Sequence, residues 1–183
     1  MEKNIFRLIE KSANSHPNKI FLRDVNKKIN LSYKDTLSFI YKFNHFLLNN
    51  KIRANNKILV IFDNSILLSL LFLSITSTNR VFVPVNPDIG KYEFLNILKT
   101  SGAKFSIIDE IYKKKYSSFI KKKIICVKDQ ITFINNILIG EDKNFNKKFS
   151  GLCEILYTSG STGNPKGVML THQSILTNLE GLE

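Results

Sequence analysis

Leu156-Tyr157-Thr158-Ser159-Gly160-Ser161-Thr162-Gly163-Asn164-Pro165-Lys166-Gly167-Val168-Met169-Leu170-Thr171-His172 is the stretch from which the rest of the chain can be read. Ile155-Leu156-Tyr157 reads as the end of a strand, and apolar spacing resumes at Val168-Met169-Leu170. The ten residues from Thr158 to Gly167 hold three glycines, four hydroxyl side chains, one proline and one lysine. This is the composition of a loop built to hold phosphate. Glycines allow positive φ and bring backbone N–H groups close to an anion. Thr158, Ser159, Ser161 and Thr162 offer hydroxyl donors, and Lys166 a point charge. Pro165 stiffens the exit and lowers the entropy lost on closing over a ligand. The Walker A pattern does not fit. Pro165 stands where a glycine must precede the lysine, and Gly167 where the magnesium-binding hydroxyl must follow. A flexible Ser/Gly linker does not fit either, since the segment is bracketed tightly by apolar residues.

The 183 residues suffice for one good core, and an apolar fraction of 43% is ordinary for a soluble globular protein. The net charge of +12 comes mainly from lysine and raises nucleic acid or an anionic membrane as partners. The lysines are spread along the chain, however. The triplets Lys113–Lys115 and Lys121–Lys123 read as a solvated helix or loop face, so nucleic-acid binding is not expected. Cys126 and Cys153 read as small buried apolar residues, without a disulfide framework or metal motif. His16, His45 and His172 form no ligand cluster in sequence. The N-terminus lacks a signal-peptide pattern, and Ile66–Ile75 is too short to span a bilayer and reads as a buried helix. A cytoplasmic protein is expected.

Residues 3–14 place Ile5, Phe6, Leu8 and Ile9 at helical spacing, with a stop before His16-Pro17. Lys19–Asp24 and Ile29–Leu31 read as a hairpin across Asn26-Lys27-Lys28. Ser32 caps a helix from Tyr33 to about Asn50, with Leu37, Ile40, Tyr41, Phe43, Phe46, Leu47 and Leu48 in a buried stripe. Lys57–Phe62 is a compact buried strand, followed at Ser65 by a helix to about Thr78. Val81-Phe82-Val83 is a strand ended by Pro84, and Pro87 starts a helix that finishes at Ser101-Gly102. Phe105–Ile108 and Ile124–Val127 are further strands, and Asp129–Ser150 is less regular. Thr171 caps a last helix carrying Ile175, Leu176, Leu179 and Leu182. Alternating strands and helices, with short unalternating apolar strands, predict an α/β doubly wound, mostly parallel sheet. Ligands of such sheets sit beyond the carboxyl ends of the strands, where a loop leaving Cys153–Tyr157 would lie.

The segment Tyr157–His172 resembles, at every fixed position, the signature loop of the adenylate-forming superfamily: acyl-CoA synthetases, peptide-synthetase adenylation domains and luciferases. The likeness extends to His16–Leu22, Leu31–Asp35, Lys57–Asn64, Val81–Pro87 and Thr100–Lys104, in the family's order. One departure is Asn79-Arg80, where the family has a small residue and glycine; a local change of that turn is expected.

The resemblance implies the N-terminal subdomain of the adenylate-forming fold, truncated. Residues 1–183 would be a partial AMP-binding domain that ends just after the phosphate loop 156–172, the C-terminal domain being absent. It implies activation of a carboxylic acid by ATP with Mg2+, then transfer to coenzyme A or a carrier-protein phosphopantetheine. Thr158, Ser159, Ser161 and Thr162 would donate to the β- and γ-phosphates, Gly160 and Gly163 would bring backbone close, and Lys166 would add charge. For each hydroxyl alone, a turn-stabilising hydrogen bond is as good a reading. No catalytic residue is assigned, and His172 is read as packing or capping a helix. Two other readings stand beside this one: a non-catalytic nucleotide- or phosphate-binding module, and a half-enzyme that needs a C-terminal partner chain.

Overall fold

The structure is a computed structural model that describes residues 4–25, 27–121, 123–147, 149, 151–158 and 165–181. Its organising strand is β3 (Lys57–Ile61), which pairs in parallel with β4 (Val81–Val85) on one side and β5 (Phe105–Asp109) on the other. With β6 (Lys123–Val127), β7 (Leu152–Thr158) and β8 (Lys166–Thr171) they form a six-stranded sheet in the order β6-β5-β3-β4-β7-β8. All neighbours are parallel except β7 and β8.

Side chains of a strand alternate between faces, so a strand without polar alternation needs cover on both sides. Ile58 and Val60 of β3 pack with α2 (Tyr33–Asn49), α3 (Ile66–Ser77) and α6 (Gln130–Leu138). Leu59 and Ile61 pack on the opposite face with α4 (Lys91–Ser101) and Tyr116 of α5 (Glu110–Tyr116). A smaller cluster of Phe6 and Ile9 from α1 (Ile5–Ser15), Ile40 and Phe149 anchors the N-terminal helix. β1 (Ile20–Asp24) and β2 (Ile29–Ser32) form a separate antiparallel hairpin; Asn26 in its turn lies outside the described residues. The doubly wound, mostly parallel architecture is the one the alternation predicts.

Several local signals act as expected. Ser32 and Asp35 form a capping box on α2, Ser65 caps α3 and Thr171 caps α7 (His172–Glu180). Gly102 ends α4 in the left-handed conformation, at φ 67°.

Other expectations need correction. Pro84 does not end β4 but lies inside it, opposite Val60. Its missing N–H is tolerated because the β4–β7 ladder holds one registered pair, Phe82 with Glu154. Pro87 does not start α4; Gly90 caps that helix with Glu93, and the Pro87 carbonyl accepts from the Tyr116 hydroxyl at 2.6 Å. The stretch Asp129–Ser150 contains α6, started by Asp129 as cap, and Val168–Leu170 belongs to a strand. Leu8 and Leu48 are exposed, while Phe39 is fully buried in the stripe of α2. Leu179 is exposed, and Leu182 lies outside the described residues. Lys113–Lys115 are exposed on α5, but Tyr116 between the two triplets belongs to the core. Cys153 is buried, whereas Cys126 is half-buried with its thiol donating to Glu110 Oε2 at 2.5 Å. Both cysteines are free thiols.

Asn79-Arg80 reshapes its turn. Asn79 takes φ 57°, a conformation asparagine tolerates better than most residues. Arg80 then points inward and is only 2% exposed. Its Nε and Nη2 donate to the Ile52 carbonyl at 3.1 and 2.8 Å, and Nη1 donates to Asn44 Oδ1 and the Thr78 carbonyl, each at 3.0 Å. Burial pulls its pKa down to about 10, so it stays charged at neutral pH. Arg80→Ala leaves these acceptors buried and unpaired beside a new cavity. It should lower the unfolding free energy by about 3 kcal/mol in urea denaturation. A loss under about 1 kcal/mol would mean that water replaces the guanidinium freely.

Candidate functional site

At the carboxyl end of the sheet, β3 runs out into Phe62-Asp63-Asn64 and β4 into Asn86-Pro87-Asp88, while β7 reaches Thr158. These ends, with Leu156 and Tyr157, line a cleft of about 440 Å³.

The edge of the site is the antiparallel hairpin of β7 and β8. Its register pairs Tyr157 with Gly167 and Thr158 with Lys166. The two ends of the glycine-rich segment are therefore held side by side on neighbouring strands. Of the residues singled out in the sequence, the structure brings Thr158 and Lys166 together, both exposed. Ser159, Gly160, Ser161, Thr162 and Gly163 lie outside the described residues.

Gly167 is favoured by close packing. A Cβ there would lie 3.1 Å from both Cζ of Tyr157 and Cγ2 of Ile155, closer than those groups readily permit. The Tyr157 ring thus lies against the backbone of β8, and its hydroxyl meets Thr100 Oγ1 at 2.7 Å. Asn96 of α4 donates to the Pro165 carbonyl at 3.1 Å. Both ties fix the hairpin to α4. Asn96 carried no sequence signal, and Thr100 only its place in the Thr100–Lys104 likeness, because both sit on a helix distant in sequence.

The cleft carries two carboxylates. Asp63 and Asp88 line it, and the Tyr112 hydroxyl donates to Asp63 Oδ2 at 2.5 Å. Donation to this carboxylate holds the Tyr112 phenol up at about 12, so it remains protonated at neutral pH. Among the described residues no group of three His, Cys, Asp or Glu could by itself hold a metal ion.

The thiols are not poised for nucleophilic chemistry. Burial pushes Cys153 up to about 12; burial and the Glu110 carboxylate push Cys126 up to about 11. His172 is 2% exposed at the start of α7, at the other end of β8 from Lys166. Its Nδ1 accepts the Ile5 N–H at 3.4 Å, and its ring packs edge-on against Phe149 at 5.1 Å. It joins the N-terminal helix to the base of the hairpin, a packing role as the sequence suggested.

A family model described as "AMP-binding enzyme" matches residues 9–183. Bacitracin synthase 2 of Bacillus licheniformis is 26% identical over 174 residues, which are 95% of this chain and 6% of that protein. Zwittermicin A synthase ZmaJ of Bacillus cereus is 24% identical over 183 residues, all of this chain and 34% of its own length. Among solved structures, the inhibitor-bound N-terminal domain of FACL13 from Mycobacterium tuberculosis shares the fold with a TM-score of 0.84 at 21% identity, over 96% of this chain and 46% of that one. The chain thus spans about a third or less of these two curated relatives.

Burial pulls the His172 pKa down from 6.5 to about 4. The unfolded chain therefore takes up this proton first as pH falls. The stability that neutral His172 contributes is complete above about pH 6.5 and is lost progressively toward pH 4. Glu154, whose pKa burial raises, works in the opposite sense. Thermal midpoints measured across this range should fall on acidification, and His172→Gln should fall less steeply. An identical slope in the variant would assign the acid sensitivity elsewhere.

Proposed function

The chain belongs to the AMP-binding enzyme family, and from that membership we propose that it forms part of the N-terminal domain of an adenylate-forming acid–thiol ligase. The observation that carries this reading is the pairing of Thr158 with Lys166. It anchors both ends of the glycine-rich segment at the carboxyl edge of a parallel sheet, beside a cleft.

In the proposed reaction a carboxylate oxygen attacks the α-phosphorus of ATP, and pyrophosphate leaves from the same phosphorus. An acyl-adenylate forms, and a thiol of coenzyme A or of a carrier-protein phosphopantetheine then takes the acyl group and releases AMP. Bringing two anions together demands cancellation of charge and in-line positioning. Lys166 supplies a fixed cation to the β- and γ-phosphates, and Thr158, Ser159, Ser161 and Thr162 supply hydroxyl donors. Gly160 and Gly163 admit the phosphates close to the backbone. Mg2+, when bound, would neutralise phosphate charge. A cytoplasmic setting is part of this reading, and the free thiols of Cys126 and Cys153 support it. No helix among the described residues is long and apolar enough to cross a membrane.

A second feature bears on completeness. Leu156, Val168 and Met169 on the hairpin are 41%, 44% and 70% exposed. Apolar side chains around a phosphate loop favour further protein over this edge, whether a later part of the same polypeptide or a second chain. On either arrangement the 183-residue chain alone should give no ATP–pyrophosphate exchange with any carboxylic acid; measurable exchange would overturn the incompleteness. The mass of the native product in cells separates a longer polypeptide from a two-chain enzyme.

Phosphate recognition is tested on the chain itself. Lys166→Ala should weaken binding of Mg-ATP, read by calorimetry, by about tenfold or more, the worth of one charge-assisted hydrogen bond. Unchanged affinity would remove Lys166 from the site.

A further inference from the structure

Carboxylates gather at the carboxyl ends of the parallel strands, where Lys115 and Lys128 also stand, and cations gather at the amino ends, where Glu154 of β7 is the acidic exception. At the carboxyl ends stand Asp63 after β3, Asp88 after β4, Asp109 and Glu110 at the end of β5, and Asp129 after β6. At the amino ends stand Lys51, Arg53 and Lys57 before and at the start of β3, Lys99 and Lys104 before β5, and Lys121 and Lys123 at β6. The segments 36–62, 94–108 and 111–128 contain no acidic residue at all.

Register places these cations along one rim, on both faces of the sheet. Ile58 pairs with Phe105 and Phe105 with Lys123, so Lys57 and Lys104, each one residue earlier, share one face and Lys123 lies on the other, on adjacent strands. A Cβ on Gly102 would lie 3.6 Å from Lys57 Nζ, which brings this lysine to the last turn of α4 beside Lys99. Lys123 Nζ donates to the Asn50 carbonyl at 3.0 Å and joins the rim to Lys51 and Arg53. Six of the seven cations are exposed, Lys57 being half-buried, and among the described residues none meets a carboxylate within ion-pair distance. Glu141 and Asp142 form the acidic border, on the loop after α6, where Glu141 Oε2 lies 3.8 Å from His45 Nδ1.

Lysines also complement the negative ends of helices, and this accounts for Lys51 after α2 and Lys99 in the last turn of α4. It accounts as well for Lys123, whose Nζ donates to the carbonyl of Asn50, the C-cap of α2, but not for Lys104 and Lys121, which lead into strands.

We propose that this amino-end rim, opposite the phosphate site, is a docking surface for an acidic protein segment. Six of its seven cations are lysines, compact point charges suited to a mobile field of carboxylates, where planar bidentate phosphate recognition favours arginine. No aromatic side chain is exposed in the segments that form it, so it lacks the stacking platform of a single-stranded nucleic-acid site. It also lacks the inserted apolar face of a membrane-surface helix.

Binding of fluorescent poly-L-glutamate to the 183-residue chain at low salt provides the test. The triple variant Lys51→Glu, Lys104→Glu, Lys121→Glu is compared with a control of equal net charge, Lys11→Glu, Lys34→Glu, Lys114→Glu, whose exposed sites lie off the rim. The rim variant should bind about tenfold or more weakly and the control less than about threefold, with binding by the native chain lost as salt rises. Equal losses would reduce the effect to net charge and overturn the proposal. So would an absence of binding by the native chain, or tighter rim-dependent binding of single-stranded RNA or phosphatidylserine vesicles. Circular dichroism verifies folding of each variant, and the single change Lys104→Glu gives the same reading if the triple variant does not fold.

Discussion

Burial of β3 on both faces is the constraint on which the fold depends. Ile58, Leu59, Val60 and Ile61 have no measurable exposure, so their alternating side chains demand helices above and below the sheet. Complete burial contributes about 1.5–3 kcal/mol for each such side chain. It also dictates how the chain returns. A parallel neighbour must be reached by a crossover, so α3 and α4 lie between successive parallel strands and on opposite faces. Once β3, β4 and β5 are in register, their carboxyl ends open together, and the cleft is a consequence of the connections and not a separate design.

The hairpin of β7 and β8 departs from that rule, and its geometry depends on one missing side chain. Because Gly167 has no Cβ, the Tyr157 ring can lie against β8 and reach Thr100, while Asn96 holds the Pro165 carbonyl. The far end of the hairpin is tied to α4 and the near end to α1 through His172 and Ile5. The strands on either side of the segment Ser159–Asn164 are therefore held by groups outside it.

This distribution explains how much could be read from sequence. The cap at Ser32, the left-handed Gly102, the unalternating strands and the glycine-rich segment are local patterns, and each carries its own chemistry. Pro84 and Pro87 misled because a proline ends an element only where its N–H is needed, and the sparse β4–β7 ladder is a tertiary fact. Val168–Leu170 looked like simple resumed apolar spacing because an edge strand with mostly exposed residues has no burial period to display. Asp63, Asp88 and Tyr112 come together only through the topology, as do Thr100 and Tyr157. The inward turn of Arg80 depends on acceptors from Ile52 and Asn44, far back in the chain.

The same topology gives the cleft an electrical direction. Asp63 and Asp88 line it, Lys166 begins β8 outside its lining, and the Tyr112 phenol remains a donor to Asp63 at neutral pH. An anion entering such a cleft gains near the hairpin and loses near the carboxylates. The difference rises as water is expelled, because charges interact more strongly at low dielectric. An anion in the cleft is thus repelled from the ends of β3 and β4, where Asp63 and Asp88 stand.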